Sequence, residues 1–76
     1  MHDLVALLED VRATHCDSGR QLVLRRGQVG TVVMTYDDSV VDVEFSGQDG
    51  RAYAIVPVNV QNLLGLKDTP NHAATE

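Results

Sequence analysis

A thiol lies between an imidazole and a carboxylate in the segment His15-Cys16-Asp17. These side chains are the types that serve as nucleophile, base and acid in covalent catalysis. Neighbours in sequence do not face each other as a catalytic dyad requires, and the sequence shows neither a group that would orient the imidazole nor an oxyanion hole. We therefore predict that Cys16 is exposed or packed in a loop, that no residue is catalytic and that the protein is not an enzyme.

Two glycines, Gly27 and Gly30, are spaced as in part of a phosphate-binding loop. Such a loop lies between a strand and a helix and places the helix N-terminus at the phosphate. Here the glycines lead into a β-branched segment, so they predict a turn at Gly27 and a bulge or bend at Gly30. No cofactor site is predicted.

Metal binding is also not expected from the sequence. One cysteine, Cys16, and three histidines, His2, His15 and His72, are the nitrogen and sulfur ligands available. A zinc site built from them would require both chain ends to come together. We therefore predict no metal.

Three of the arginines are close in sequence, at Arg20 and Arg25-Arg26. Guanidinium groups suit carboxylates and phosphates of a partner. The alternative is a set of salt bridges to neighbouring turns at Asp37-Asp38 or Asp49, each contributing at most about 1 kcal/mol. Adding Arg51 and the two tyrosines, the candidate partner-binding residues are Arg20, Arg25, Arg26, Tyr36, Arg51 and Tyr53.

The overall charge is acidic. The 76 residues include 11 Asp and Glu but only 6 Lys and Arg, for a net charge of −5. Nucleic-acid binders usually carry a basic field, so DNA and RNA are disfavoured as partners. The N-terminus lacks the basic region of a secretion signal. No apolar run reaches the roughly 18–20 residues needed to cross a bilayer, so we predict a cytoplasmic protein with no membrane association.

A chain of this length forms one domain with a marginal core, because it buries only about 60% of the surface its unfolded form exposes. Small domains compensate with disulfides, metals or self-association. The lone Cys16 excludes a disulfide within the chain. Self-association, such as a homodimer, therefore remains an expectation beside binding to another protein.

Several segments favour strands. Residues 29–36 are rich in valine and threonine, and residues 40–45 alternate with Val41, Val43 and Phe45 on one face. Residues 4–8 are predicted as a strand, although their apolar spacing also permits a helix. Residues 51–56 and 63–66 are the remaining predicted strands.

Turns and loops separate these strands. Residues 11–20 are rich in turn formers and predict a long first loop. Hairpin turns are predicted at residues 37–39 and 47–50. Pro57 is predicted to end its strand, because proline donates no hydrogen bond to a ladder. One helical or 3-10 turn is expected at residues 58–62.

Together these elements predict an all-β antiparallel fold of about five short strands. We expect them to curl into a small SH3-like barrel, which leaves few exposed strand edges. The domain is predicted to span residues 1–66. Residues 67–76 show no packing pattern and predict a disordered tail.

The sequence also resembles a group of very small bacterial proteins catalogued as a domain of unknown function. The residues that carry this resemblance are Asp3-x-Val5-Ala6-Leu7-Leu8-Glu9-Asp10, Leu24-Arg25-Arg26-Gly27-Gln28-Val29-Gly30-Thr31-Val32-Val33, Val43-Glu44-Phe45, Gly50-Arg51-x-Tyr53-Ala54 and Leu63-Leu64-x-Leu66. Residues 27–33 are in addition similar to the strand entry of KOW modules and of the small barrel in the nitrile hydratase β subunit. These resemblances imply an SH3-like fold and no particular activity.

Two functional hypotheses follow. The first is a non-enzymatic interaction or accessory module, which binds a protein partner, acts as an antitoxin-like subunit, or associates with itself. The second is a KOW-like nucleic-acid binder that uses Arg20, Arg25, Arg26 and Arg51.

Overall fold

The structure is a computed structural model that describes residues 3–66. Its elements are β1 (Leu4–Leu7), β2 (Val11–Thr14), β3 (Gln21–Leu24), β4 (Val29–Thr35), β5 (Val40–Ser46), β6 (Ala52–Asn59), a 3-10 turn (Val60–Asn62) and β7 (Leu63–Leu66). The all-β prediction is confirmed, as is the 3-10 turn immediately before the last strand. The predicted tail at residues 67–76 lies outside the described residues.

Five strands form one antiparallel sheet in the order β6-β5-β4-β1-β7, and β2 pairs with β3 in a separate hairpin. The larger sheet is not closed, because β6 and β7 are its two edges and do not pair with each other. The five strands expected from the sequence are all in this sheet. Residues 4–8 are correctly predicted as a strand, which lies between β4 and β7.

The predicted long loop at residues 11–20 is wrong. Residues 11–14 form β2, which pairs with β3, and the turn formers Ser18 and Gly19 occupy only the connection between them. Gly19 adopts a φ of 74°, as that connection requires. The alternation of apolar and polar residues in β2 is too short to predict a strand, and Ala13 is the one buried residue of its four.

The core lies on one face of the larger sheet, here called the core face. Val41, Val43 and Phe45 point to it from β5, as their spacing predicts. Across the sheet and from the β2–β3 hairpin they meet other buried residues, namely Val5, Leu7, Ala13, Leu24, Ala54, Val56 and Val58. The hairpin therefore supplies part of the core that a loop would not.

Pro57 does not end its strand, contrary to the prediction. β6 continues to Asn59, with Pro57 opposite Asp42 of β5. The N–H of Val60 donates to the carbonyl of Ser39 at 2.8 Å. Ser39 and Val60 are therefore a hydrogen-bonded pair, and bonded pairs alternate along an antiparallel ladder. Counting back from Val60, the backbone nitrogen of Pro57 points away from β5, so its missing N–H costs no bond of the ladder.

Gly30 does not form a bulge. The register between β4 and β5 shifts instead between Val32 and Met34. Gly30 is buried, and its φ is not positive. Its small size is required by the close approach of β5, against which it packs directly.

Both predicted hairpin turns are confirmed. In the first, one carboxylate oxygen of Asp37 accepts the N–H groups of Ser39 at 2.7 Å and Val40 at 3.0 Å. In the second, Gly50 has a φ of 80°, and its N–H donates to the carbonyl of Gly47 at 3.0 Å. These local bonds fix the register of β5 against its two neighbours.

Candidate functional site

The predicted partner-binding residues do not form one site. Tyr36 lies beside the turn between β4 and β5, where its hydroxyl donates to a carboxylate oxygen of Asp42 at 2.7 Å. Asp42 pairs with Pro57, whereas Tyr53 lies toward the other end of the β5–β6 ladder. The hydrogen bond to Asp42 is the main cause that raises the pKa of Tyr36 above 10.0, followed by partial desolvation and the negative charge of Asp42.

Tyr53 connects three parts of the chain. Its hydroxyl accepts a hydrogen bond from the side-chain amide of Gln28, just before β4. Its ring stacks on His15, with centroids 6.3 Å apart and planes inclined by 21°. Its carbonyl accepts the N–H of Cys16 at 2.7 Å. Tyr53 therefore holds the tip of the β2–β3 hairpin and the start of β4 against β6.

His15 has a structural partner set of its own. Its Nδ1 accepts the N–H groups of Asp17 at 3.1 Å and Ser18 at 3.3 Å. This ring nitrogen is therefore occupied by the loop that it closes, while Cys16 is exposed as predicted. The imidazole therefore orders the hairpin tip.

Two shallow recesses meet at His15. One, of about 290 Å³, is lined by Asp17, Asp49, Arg51 and Tyr53 as well as His15. The second, of about 500 Å³, is lined by His15 together with Ser18, Arg20, Gln21 and Leu22. The structure thus brings Arg20, Arg51 and Tyr53 to one area, but places two carboxylates beside the arginine of the first recess.

The turn between β3 and β4 carries Arg25 and Arg26. A carboxylate oxygen of Asp10 accepts the N–H of Arg26 at 2.8 Å, and the other lies 3.8 Å from Nη1 of Arg25. The expected salt bridge therefore exists, but with Asp10 and not with the three aspartates named from the sequence. Since the Arg25 side chain is 78% exposed, this ion pair contributes well under about 1 kcal/mol.

A different surface was missed by sequence reasoning. The face of the larger sheet opposite the core, here called the outer face, carries apolar side chains that no described residue covers. Ala6 lies opposite both Val29 and Leu64, and Leu4 lies opposite Leu66. These five residues form a continuous apolar strip across β4, β1 and β7.

The exposure within this apolar strip is substantial. Leu64 is 53% exposed and Val29 50% exposed, and Leu4 and Leu66 are also exposed. Burying such side chains is favourable by about 25 cal/mol per Å². The signal in the sequence is the uninterrupted apolar run 63–66, which lacks the polar residues that alternate in a strand with one solvated face.

The edge strand β7 leaves backbone groups available. The N–H of Leu8 donates to the carbonyl of Asn62 at 2.9 Å, next to the register pair Leu7 and Leu63. Bonded pairs alternate, so the backbone groups of Leu64 and Leu66 face β1 whereas those of Leu63 and Gly65 face outward. No described strand pairs with this outer side of β7.

The opposite edge is protected. On β6, Pro57 has no N–H to offer, and the outward carbonyl of Tyr53 is occupied by Cys16. Proline and a covering loop are two devices by which natural sheets block further strand addition. Within residues 3–66 the sheet therefore has one blocked edge, β6, and one open edge, β7.

An apolar cleft of about 430 Å³ lies on the core face beside the open edge. Its walls on that face include Val5, Val32, Val41, Leu63 and Gly65. Gly65 borders open space, since a Cβ added there would meet nothing within 4 Å. Both faces of the open edge are therefore apolar.

Neither a metal-binding cluster nor a membrane-spanning helix is found in the described part of the chain. Residues 3–66 contain no group of three or more His, Cys, Asp or Glu side chains arranged to hold a metal ion. None of the helical structure in that range is long and apolar enough to cross a membrane.

The fold and its surfaces define a small antiparallel β domain with one open, apolar sheet edge. The chain belongs to the family described as "Domain of unknown function (DUF4926)", whose model matches residues 1–64. This confirms the expected membership in a family catalogued as a domain of unknown function. Comparison with curated proteins and with solved structures finds no match to the chain.

Proposed function

We propose that this protein is a non-enzymatic interaction module that binds another polypeptide along β7 and the apolar strip. The observation that carries the proposal is the open edge of β7, with outward backbone groups at Gly65 and exposed leucines at positions 64 and 66. Strand addition to such an edge combines main-chain hydrogen bonds with side-chain contacts on both faces.

The proposal includes an SH3-like arrangement of the strands. Its support is the order of the larger sheet, in which β1 lies between β4 and the last strand, and the 3-10 turn that leads into β7. The β2–β3 hairpin occupies the position of the long first loop expected for that class. Small barrels of this kind serve many unrelated roles, so the proposed function rests on the surface and not on the fold.

Site-specific photo-crosslinking tests the proposal. Leu64 is replaced by p-benzoylphenylalanine in the full chain, expressed in cells that naturally make it, and the products are identified by mass spectrometry. We expect a discrete crosslinked polypeptide from position 64. The matched control is the same substitution at Ile55, which lies on the outer face at the blocked edge and is 47% exposed.

Two results contradict the proposal. One is the absence of any discrete product from position 64. The other is an identical set of products from positions 64 and 55, since this would show collisions and not a specific interface.

The second candidate function is nucleic-acid binding, favoured by the placement of Arg20 and Arg51 in the two recesses that share His15, whose ring stacks on Tyr53. Fluorescence anisotropy at low salt with single- and double-stranded oligonucleotides tests it, because electrostatic affinity is then greatest. Binding that is lost in an Arg20→Ser, Arg51→Ser double variant supports this function. No binding by the native chain at high micromolar concentration rules it out.

A further inference from the structure

Resting on the proposed function, we propose that the polypeptide bound at β7 is a second copy of this chain. The two β7 strands pair antiparallel about a two-fold axis that passes beside Gly65 and perpendicular to the sheet. The two sheets then continue into one another across the axis. Such a two-fold contact is self-complementary and closes without leaving either β7 edge open.

The backbone selects one register. Of the outward groups on β7, the N–H of Leu63 is already used, because it donates to the carbonyl of Val60 at the end of the 3-10 turn. The carbonyl of Leu63 and both backbone groups of Gly65 remain. Pairing Gly65 with Gly65 of the second copy satisfies the N–H and the carbonyl of Gly65 in both copies through two reciprocal hydrogen bonds.

The alternative register, in which Gly65 pairs with Leu63, is less favourable. It pairs the Gly65 N–H with the Leu63 carbonyl, but it places the Gly65 carbonyl opposite the Leu63 N–H that the 3-10 turn already occupies. It also sets Leu66 opposite the polar Asn62. A shift by one residue would be worse, since it would set the outer face of one copy against the core face of the other. Only the axis at Gly65 pairs both backbone groups of Gly65 and at the same time sets leucine opposite leucine on the outer face.

Side chains on the outer face agree with this register. With Gly65 at the axis, Leu64 of each copy lies opposite Leu66 of the other, so the two apolar strips join into one surface. On the core face, Gly65 contributes no side chain and has open space around it. Two residues with side chains would meet at this position, whereas two glycines allow the strands to approach.

Charge permits the contact although each copy carries a net charge of −5. Residues 52–66, which include β6, the 3-10 turn and β7, contain no charged side chain. The paired strands therefore bring no carboxylates directly opposite one another, which would be destabilising.

The size of the interface limits its strength. β7 has four residues, so the paired edges and adjoining leucines form a contact at the small end of protein interfaces, below about 1,200 Å² in total. We therefore expect a reversible dimer with a Kd on the order of tens of micromolar. A monomer at low concentration and a dimer at high concentration are both part of this expectation.

Sedimentation equilibrium on the full chain, from about 1 µM to about 500 µM, spans that affinity. The native chain and the Ile55→Glu control are expected to dimerise. Gly65→Pro removes the outward N–H of residue 65 but keeps the hydrogen bonds between β7 and β1. Leu64→Glu places a charge within the joined apolar strips. Each variant is expected to weaken association at least about tenfold. Circular dichroism confirms that each variant is folded.

Disulfide crosslinking tests the register of the paired β7 strands, in a chain whose own cysteine is removed by Cys16→Ser. A mixture of the Leu64→Cys and Leu66→Cys variants is expected to crosslink much faster than either variant alone. Positions 64 and 66 lie directly opposite, whereas like positions are diagonal neighbours roughly 7–8 Å apart, beyond the reach of about 7 Å for a relaxed disulfide.

Several outcomes overturn the inference. These are a chain that stays monomeric throughout the concentration range, a dimer that Gly65→Pro and Leu64→Glu leave intact, and equal crosslinking rates in the mixture and in the single variants. A monomeric chain whose position 64 crosslinks to a different protein overturns the second-copy inference alone. A monomeric chain with no product from position 64 overturns the proposed function as well.

Discussion

Gly30 of β4 lies so close to Phe45 of β5 that a Cβ added to the glycine would stand 2.8 Å from Cε1 of the ring. The same Cβ would lie 2.7 Å from Cγ1 of Val43 and 2.9 Å from the carbonyl oxygen of Glu44. Phe45 and Val43 are fully buried, and the third neighbour is backbone. Hence the absence of a side chain at position 30 allows the largest core residue to occupy its place.

Replacement of Gly30 by alanine is therefore expected to destabilise the fold by about 1–3 kcal/mol, the cost of overpacking a tight core. Urea unfolding followed by circular dichroism measures this loss. Gly65→Ala is the matched control, because its Cβ would meet nothing within 4 Å, and it is expected to change stability by less than about 0.5 kcal/mol. Equal stabilities of the two variants would contradict the close approach of β5.

Gly30 also shows where sequence reasoning stops. A glycine within a strand indicates a bulge, a bend or a close approach, and the sequence alone favours the first two. The choice depends on which side chain lies opposite in the neighbouring strand. That contact joins residues far apart in the chain, so no local pattern contains it.

The strands that were predicted correctly have local signals. Val41, Val43 and Phe45 alternate with acidic residues, and Asp37 supplies the acceptor of the preceding turn. The β2–β3 hairpin was missed because its burial depends on tertiary contact, with Leu24 buried and Val23 exposed. The end of β6 was predicted wrongly at Pro57, because the effect of a proline depends on whether its strand is central or at an edge of the sheet.

For the candidate site, residue type was a partial guide. Arginines and tyrosines were identified, but their grouping was not, since Tyr53 is joined to His15 and Gln28 only in the folded chain. The open edge of β7 required the strand order. A continuous apolar run such as 63–66 predicts burial on both faces, and only the topology shows that one face has no cover among the described residues.

Asp10 is expected to act on stability mainly through the backbone of the β3–β4 turn. Asp10→Asn keeps an oxygen for the N–H of Arg26 and loses only the exposed ion pair with Arg25, so it is expected to cost less than about 0.5 kcal/mol. Asp10→Ala loses both and is expected to cost about 1 kcal/mol. Urea unfolding distinguishes the two. If the asparagine variant were as unstable as the alanine variant, the ion pair would be the dominant contribution.

Tyr36 provides a test by titration. Its hydrogen bond to Asp42 raises the pKa of the hydroxyl above 10.0, because the neutral phenol donates to the carboxylate and the tyrosinate would be repelled. Asp42→Ala, which removes both the acceptor oxygen and the charge, is expected to lower the pKa of Tyr36 toward 10, as measured by the ultraviolet absorbance of tyrosinate. Tyr36→Phe serves as the control that identifies which transition belongs to this residue.

The direction of the linked stability change follows from the same shift. A pKa raised in the folded state stabilises the fold below the pKa of the unfolded state, and this contribution is lost as the pH rises through the folded value. The native chain is therefore expected to lose more stability than Asp42→Ala when the pH is raised through and above 10. An unchanged titration in the Asp42→Ala variant would contradict the contact with Asp42 as the cause.

The hydroxyl of Tyr53 is expected to contribute more to stability than that of Tyr36. Tyr53→Phe leaves the half-buried amide of Gln28 without its partner, at a cost of about 0.5–1.5 kcal/mol, while the stacking on His15 is retained. Tyr36→Phe removes a hydroxyl from a side chain that is 58% exposed, so water replaces the lost bond and the change is expected to be smaller than that of Tyr53→Phe. Urea unfolding of both variants measures the difference.

A double variant tests whether Tyr53 and Gln28 act together. Gln28→Ala also loses the bond that Gln28 accepts from the N–H of Arg25 at 3.1 Å. Because both single variants remove the same Gln28–Tyr53 hydrogen bond, the Tyr53→Phe, Gln28→Ala double variant is expected to cost less than the sum of the single variants. Additive losses would show that Tyr53 and Gln28 act independently, and that the start of β4 is held against β6 by packing alone.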